Sequence, residues 1–216
     1  MLAKRLLPFL ILSSLNIMGI IIEIEWLRIA TKPLLIPALV FFYVSHNPKP
    51  DRGVLIALFF SFLGDLFLLG VGTSFFLLGL GNFLATQIIF TLKMGERIQK
   101  KRLDLLKASL PYLIYSSVLL YLLIPSLGEL APAVSVYALA ICSFGILSLT
   151  YFLQRLQNGS WIACGALLFV LSDSMIALNQ FYFQKDFFGP GVMLTYLTAQ
   201  LFIVLFFKKE ALALKK

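Results

Sequence analysis

The chain reads as an all-α, polytopic membrane helical bundle of about eight transmembrane helices. Three observations lead there. Of its 216 residues, 60% are hydrophobic and only 13% charged, which is more apolar surface than the one core of so short a chain hides from water. About eight apolar runs approach the length that crosses about 30 Å of hydrocarbon at 1.5 Å per residue. The 18 Lys and Arg residues gather in short clusters between those runs, as they do in cytoplasmic loops of membrane proteins.

In chain order the runs are 6–22, 31–45, 53–69, 73–92, 108–125, 131–153, 160–180 and 190–207. The first follows Lys4 and Arg5 as a signal peptide would, yet it leads into Glu23, Glu25 and Trp26 without a small-residue cleavage site, so it reads as a membrane helix. The second and shortest opens on Thr31-Lys32-Pro33. That places Lys32 in a first helical turn, where Pro33 is tolerated because the early N–H groups have no intrahelical partner. Breakers mark the connections: Asn47-Pro48-Lys49-Pro50, Gly70-Val71-Gly72, Gln157-Asn158-Gly159 and Phe188-Gly189-Pro190. The cationic stretch 93–107 reads as a topology anchor beside anionic headgroups. No segment is left for a soluble part, so 1–216 reads as a single integral membrane domain.

An eight-span topology places Lys4, Arg5, Lys49, Arg52, Lys93, Arg97, Lys100, Lys101, Arg102, Lys107, Arg155, Lys208, Lys209, Lys215 and Lys216 on one side of the bilayer. Only Arg28, Lys32 and Lys185 fall on the other. Because cations collect on the cytoplasmic side, both termini are expected there, in a bacterial cytoplasmic (inner) membrane. Removing one span would set the 93–107 cluster opposite a terminus, so the charges support an even number. The same clustering excludes a nucleic-acid partner in spite of the net charge of +8. Cys142 and Cys164, each in an apolar run, read as small buried hydrophobes, and His46 as a solvated loop residue.

A weak internal likeness joins the two halves. Phe62-Leu63-Gly64-Asp65 resembles Val170-Leu171-Ser172-Asp173, and Phe83-Leu84-Ala85-Thr86-Gln87-Ile88 resembles Tyr196-Leu197-Thr198-Ala199-Gln200-Leu201. Four spans separate the matching segments, which suggests a 4+4 parallel repeat, 1–92 and 108–208. Asp65 and Asp173 are the acidic residues deep within the expected spans, where an ionisable group is costly and usually functional. Counted from the cytoplasmic helix starts they lie about 20 and about 18 Å along, in the outer half of the bilayer. Lys32 is placed to pair with either carboxyl, and Asn82, Gln87, Tyr196 and Gln200 to supply hydrogen bonds. The competing structural account makes the same residues polar ties between helices, with Gly64 and Ser172 permitting close approach. No His or Cys cluster, phosphate loop or nucleophile elbow accompanies them, so neither a metal nor another cofactor is expected.

These polar motifs resemble the YhhN family of membrane proteins, whose characterised members are lysoplasmalogenases. The resemblance rests on Thr31-Lys32-Pro33-Leu34, Leu63-Gly64-Asp65, Phe76-Leu77-Leu78-Gly79-Leu80, Gly165-Ala166-Leu167-Leu168-Phe169 with Ser172-Asp173, and Tyr196 with Ala199-Gln200. It implies hydrolysis of the vinyl-ether bond of a lysoplasmalogen to a fatty aldehyde and a glycerophospho-ethanolamine or glycerophospho-choline. The sequence departs from the family where a His followed three residues later by a Tyr is usual; here Gln87 and Phe90 stand instead.

Two carboxyls suit that chemistry, since an enol ether needs a proton at carbon and then water at the resulting oxocarbenium-like cation, as in glycoside hydrolysis. One of Asp65 and Asp173 is expected as the general acid and the other as cation stabiliser. Lys32 would balance charge or meet the lipid phosphate, while Gln87, Tyr196 and Gln200 position water and the glycerol hydroxyls. The expected partners are a lysophospholipid substrate and membrane lipids. A membrane transporter and a non-catalytic binder of lysolipids or small molecules are the alternative readings.

Overall fold

The computed structural model describes residues 2–45, 47, 49–99, 101–183 and 188–213, and these are helical with short connections and no strand. The helices are α1 (Leu2–Ile21), α2 (Glu25–Val44), α3 (Arg52–Phe67), α4 (Thr73–Gly95), α5 (Arg102–Leu127), α6 (Ala131–Leu153), α7 (Gly159–Leu178) and α8 (Phe188–Ala213). A 3-10 turn, Gly128–Leu130, links α5 to α6, and a π-helical turn, Asn179–Phe183, follows α7. His46, Pro48, Lys100, Lys185, Lys215 and Lys216 lie outside the described residues.

Among the described residues six helical stretches are long and apolar enough to cross a membrane: Lys4–Ile21, Glu25–Val44, Thr73–Gly95, Arg102–Leu153, Gly159–Phe183 and Phe188–Ala213. With exposed Leu106, Leu110, Leu113, Ile114 and Val118 along α5 and similar side chains elsewhere, this is an integral membrane protein. The 16 residues of α3 rise only about 24 Å. The stretch Arg102–Leu153 holds 52 residues, about 78 Å if straight, but Gly128 at φ 51° breaks it and α5 and α6 pack against each other.

Several boundaries differ from the hydropathy reading. Helix α2 begins at Glu25, six residues earlier, because a helix needs only backbone hydrogen bonds and tolerates Glu25 and Arg28, which pair at 3.7 Å. Lys32 is therefore two turns into α2 and Pro33 is inside the helix, unable to donate to the Ile29 carbonyl. The 93–107 stretch is mostly helix ends, leaving 96–101 as the connection, where Gln99 and the Gln154 side chain exchange hydrogen bonds of 2.9 and 2.6 Å. Phe188-Gly189-Pro190 forms the first turn of α8, a position proline accepts. Cys142 is buried, but Cys164 is exposed, correcting the expectation for the latter.

The chain forms two compact units, residues 1–89 with 207–216, and residues 90–206. Within the first, α1 packs on α2 and α2 on α3. The Asn16 amide, wholly buried, donates to the Arg28 carbonyl at 3.2 Å and to Thr31 Oγ1 at 2.9 Å. At the far end of α2 the Lys208 ammonium, 1% exposed, donates to the carbonyls of Phe42 (2.7 Å), Tyr43 (3.1 Å) and Ser45, and lies 4.8 Å from the Phe42 ring centre. This is a cation on the negative end of a helix, where the last carbonyls have no intrahelical donor. Lys208 is thus a buried cap rather than the surface cation its sequence neighbours suggest. Within the second unit α5 packs on α6 and α6 on α7. Gly145 admits the Tyr112 ring, which a Cβ there would meet at 2.3 Å, and Gly165 sits on the Ala199 carbonyl of α8.

Lys208→Met is expected to strip these carbonyls of their donor and to cost about 2–4 kcal/mol. A melting midpoint in detergent equal to that of the unsubstituted protein would contradict the capping role.

Candidate active site

Asp65 owes its place to how α3 begins. The Asp51 carboxylate accepts the Gly53 N–H at 2.8 Å as an N-cap, while the Asp51 N–H donates to Tyr43 Oη at 3.1 Å. These contacts tie the start of α3 to the end of α2. Further along α3, Ser61 meets Thr86 of α4 at 3.3 Å, and Thr86 donates to the Ala57 carbonyl at 3.1 Å. Gly64 then accepts the Phe83 ring, which a Cβ would meet at 2.7 Å. With Gly64 committed to α4, the following residue turns by about 100° toward another neighbour.

That neighbour is α2. The Lys32 ammonium lies 4.0 Å from Asp65 Oδ1, with Lys32 9% and Asp65 2% exposed. Just before Lys32, the Thr31 hydroxyl donates to the Leu27 carbonyl at 2.6 Å and receives Asn16 from α1. The Asn16 bond holds α1 and α2 against sliding, while the Leu27 bond lies within α2. Two charges so buried are tolerable because each answers the other, and removing one would leave an uncompensated charge. Of the other residues expected in this half, Asn82 is half-buried and donates to its own helix at the Leu78 carbonyl, 2.8 Å away. Gln87 is wholly buried, and neither Nε2 nor Oε1 has a hydrogen-bond partner.

In the second unit Asp173, half-buried on α7, accepts a hydrogen bond at Oδ2 from the Tyr137 hydroxyl of α6. The residue before it, Ser172, donates to the Val192 carbonyl of α8 at 3.1 Å. One turn along α8, Tyr196 packs edge-on against Phe169 with ring centres 5.6 Å apart, and Gln200 Nε2 donates to Tyr196 Oη at 3.3 Å. The structure thus pairs Lys32 with Asp65 and Tyr196 with Gln200, and adds Tyr137, Asn16 and Thr31 to the polar groups. Tyr137 carried no sequence signal, being an aromatic residue in an apolar run. Among the described residues no group of three or more His, Cys, Asp or Glu is arranged to hold a metal.

A model described as the YhhN family matches residues 27–207. Human lysoplasmalogenase TMEM86A is 30% identical over 195 residues, covering 84% of this chain and 78% of its own. Lysoplasmalogenase TMEM86A of Bos taurus matches with the same identity and coverage. No solved structure matches the chain.

Lys32→Met and Asp65→Asn should each cost about 3 kcal/mol of stability, since a buried charge loses its partner, and so lower the melting midpoint. The double variant should recover most of that loss, and additive losses in the cycle would show that the two side chains do not act as a pair.

Proposed function

The chain belongs to the YhhN family, and on that premise we propose that it hydrolyses the vinyl-ether bond of lysoplasmalogens, releasing a fatty aldehyde and a glycerophospho-ethanolamine or glycerophospho-choline. The observation that carries the proposal is the buried Lys32–Asp65 pair. A membrane helix gains no stability from an ion pair that an apolar pair of equal volume would not supply, whereas a lysolipid reaction uses both its charges. The Asp65 carboxyl, with the Lys32 ammonium beside it, is assigned to stabilise the developing oxocarbenium ion. The related proteins named as lysoplasmalogenases support the reaction class.

Asp173 is the second proposed carboxyl, and Gln87 a proposed ligand of the polar part of the substrate. The amide of Gln87 carries one donor group and one acceptor, both buried and unspent within the protein. Such a side chain suits water or a glycerol hydroxyl, each of which both gives and accepts a hydrogen bond. Tyr196 and Gln200, already bonded to each other, are assigned to the same task. The eight-crossing topology is retained in this proposal, with Arg102–Leu153 crossing twice and α3 crossing as a short helix held by α2 and α4.

The deciding assay is aldehyde release by purified protein in detergent, comparing a lysoplasmalogen with its saturated ether analogue and an ester lysophospholipid. Release is expected from the vinyl ether alone, and none from it under varied headgroups would end the hydrolase reading. Asp65→Asn is expected to lower kcat about 100-fold or more, in the range of lost electrostatic stabilisation of a transition state. Gln87→Leu removes an unpartnered buried amide, so it should leave the melting midpoint equal or higher while raising KM about tenfold, the value of one hydrogen bond to a neutral group. A lowered midpoint with unchanged KM would make Gln87 structural.

A further inference from the structure

The two carboxyls, Asp65 buried and Asp173 half-buried, stand in matching surroundings with different neighbours. In the first unit the small residue Gly64 faces the following helix, α4, and Asp65 faces the preceding one, α2, where Lys32 meets it. In the second unit Ser172 faces the following helix, α8, and Asp173 faces the preceding one, α6, where Tyr137 meets it. Lys32 is the eighth residue of α2 and Tyr137 the seventh of α6. Tyr137 therefore holds the place in its unit that Lys32 holds in the other, with a neutral hydroxyl instead of an ammonium.

That exchange changes what the carboxyl is able to do. An ammonium has donors and no acceptor, so it cannot accept a hydrogen bond from the O–H of a protonated acid. A phenol both donates and accepts: it donates to the carboxylate and accepts from the protonated acid. Asp173 is thus partnered in either protonation state, which a residue that gives up and recovers a proton in each cycle requires. Tyr137 is itself fixed, being 7% exposed within α6.

Resting on the vinyl-ether reading above, we infer that Tyr137 is a positioning residue for Asp173, and that Asp173 is the acid that protonates the substrate. The proton passes from the Asp173 carboxyl to the alkenyl carbon β to the ether oxygen, and the C=C electron pair becomes the new C–H bond. The positive charge is left shared between the α-carbon and the ether oxygen. A water lone pair then adds at the α-carbon and the water's proton returns to Asp173. The resulting hemiacetal separates as its hydroxyl proton moves to the departing glycerol oxygen, giving the aldehyde and a free glycerol hydroxyl. Through these steps Tyr137 donates to Asp173 while it is a carboxylate and accepts from it while it is an acid.

The test is Tyr137→Phe in the full chain, which removes one oxygen and keeps the ring. Its kcat should fall about 10- to 100-fold, the scale of a lost acid–base contribution, with KM within about twofold. The limb of the pH–rate profile that reports the acid should move, and Tyr137→Phe should cost nothing further in an Asp173→Asn background. Should the Phe variant fold poorly, 3-fluorotyrosine at position 137 keeps the shape and is expected to move the same limb. Full activity with an unmoved profile, or an equal loss on both backgrounds, overturns the inference while leaving the hydrolase intact. Absence of aldehyde release from the unsubstituted protein overturns the parent reading and this role with it.

Discussion

Hydrocarbon offers neither water nor counter-ions, so a polar group carried into it is costly unless its own helix or a neighbouring one supplies a partner. Helix α2 shows that constraint toward both ends. In its first half Asn16 of α1 binds the Arg28 carbonyl and Thr31 and the next residue, Lys32, meets Asp65 of α3; at its end Lys208 of α8 takes up three carbonyls. Apolar contacts between membrane helices discriminate poorly between registers, because lipid tails are as apolar as the side chains they replace. Directed polar contacts supply the discrimination. Each fixes a rotation and a height, and together they set the depth at which Lys32 presents its charge.

The same logic separates what the sequence reveals from what it hides. Apolar runs are long and nearly free of charge, so the existence of most helices was legible from hydropathy alone. Their ends were not. Glu25 and Arg28 look like the outside of a membrane, yet the backbone stays helical through them, and Arg102 to Lys107 belong to α5 although they read as loop. Lys208 is followed by another lysine, Lys209, and only folding distinguishes the one that turns inward. Polar residues were legible as candidates because they are rare in apolar runs, while their pairing was not, since Lys32 stood within plausible reach of either carboxyl.

Internal likeness proved most informative where it failed. The dipeptides Gly64-Asp65 and Ser172-Asp173 announce themselves in sequence, and in each unit the small residue takes the following helix while the aspartate takes the preceding one. Successive helical residues point about 100° apart, so a close helix contact at the first aims the second. What the likeness does not carry across is the partner. A lysine in one unit and a tyrosine in the other leave no trace in a comparison of short motifs, yet this difference makes two similar carboxyls chemically unlike. Acid–base pairs built from one residue type work by such divergence of surroundings.

Gln87 poses the opposite problem, a polar group with no visible reason to be where it is. Burying an amide without hydrogen bonds costs about 1–3 kcal/mol by the scale of protein substitutions, and leucine at this place in α4 would avoid it. Gln200, its counterpart in the sequence likeness, is bonded to Tyr196 one turn away, whereas the residue one turn before Gln87 is Phe83, which has no hydroxyl to offer and is spent on Gly64. A purely structural role therefore gives Gln87 a cost without a return. Under the proposed reaction the partner that would give it one is water or a glycerol hydroxyl, each of which answers an amide's donor and acceptor together.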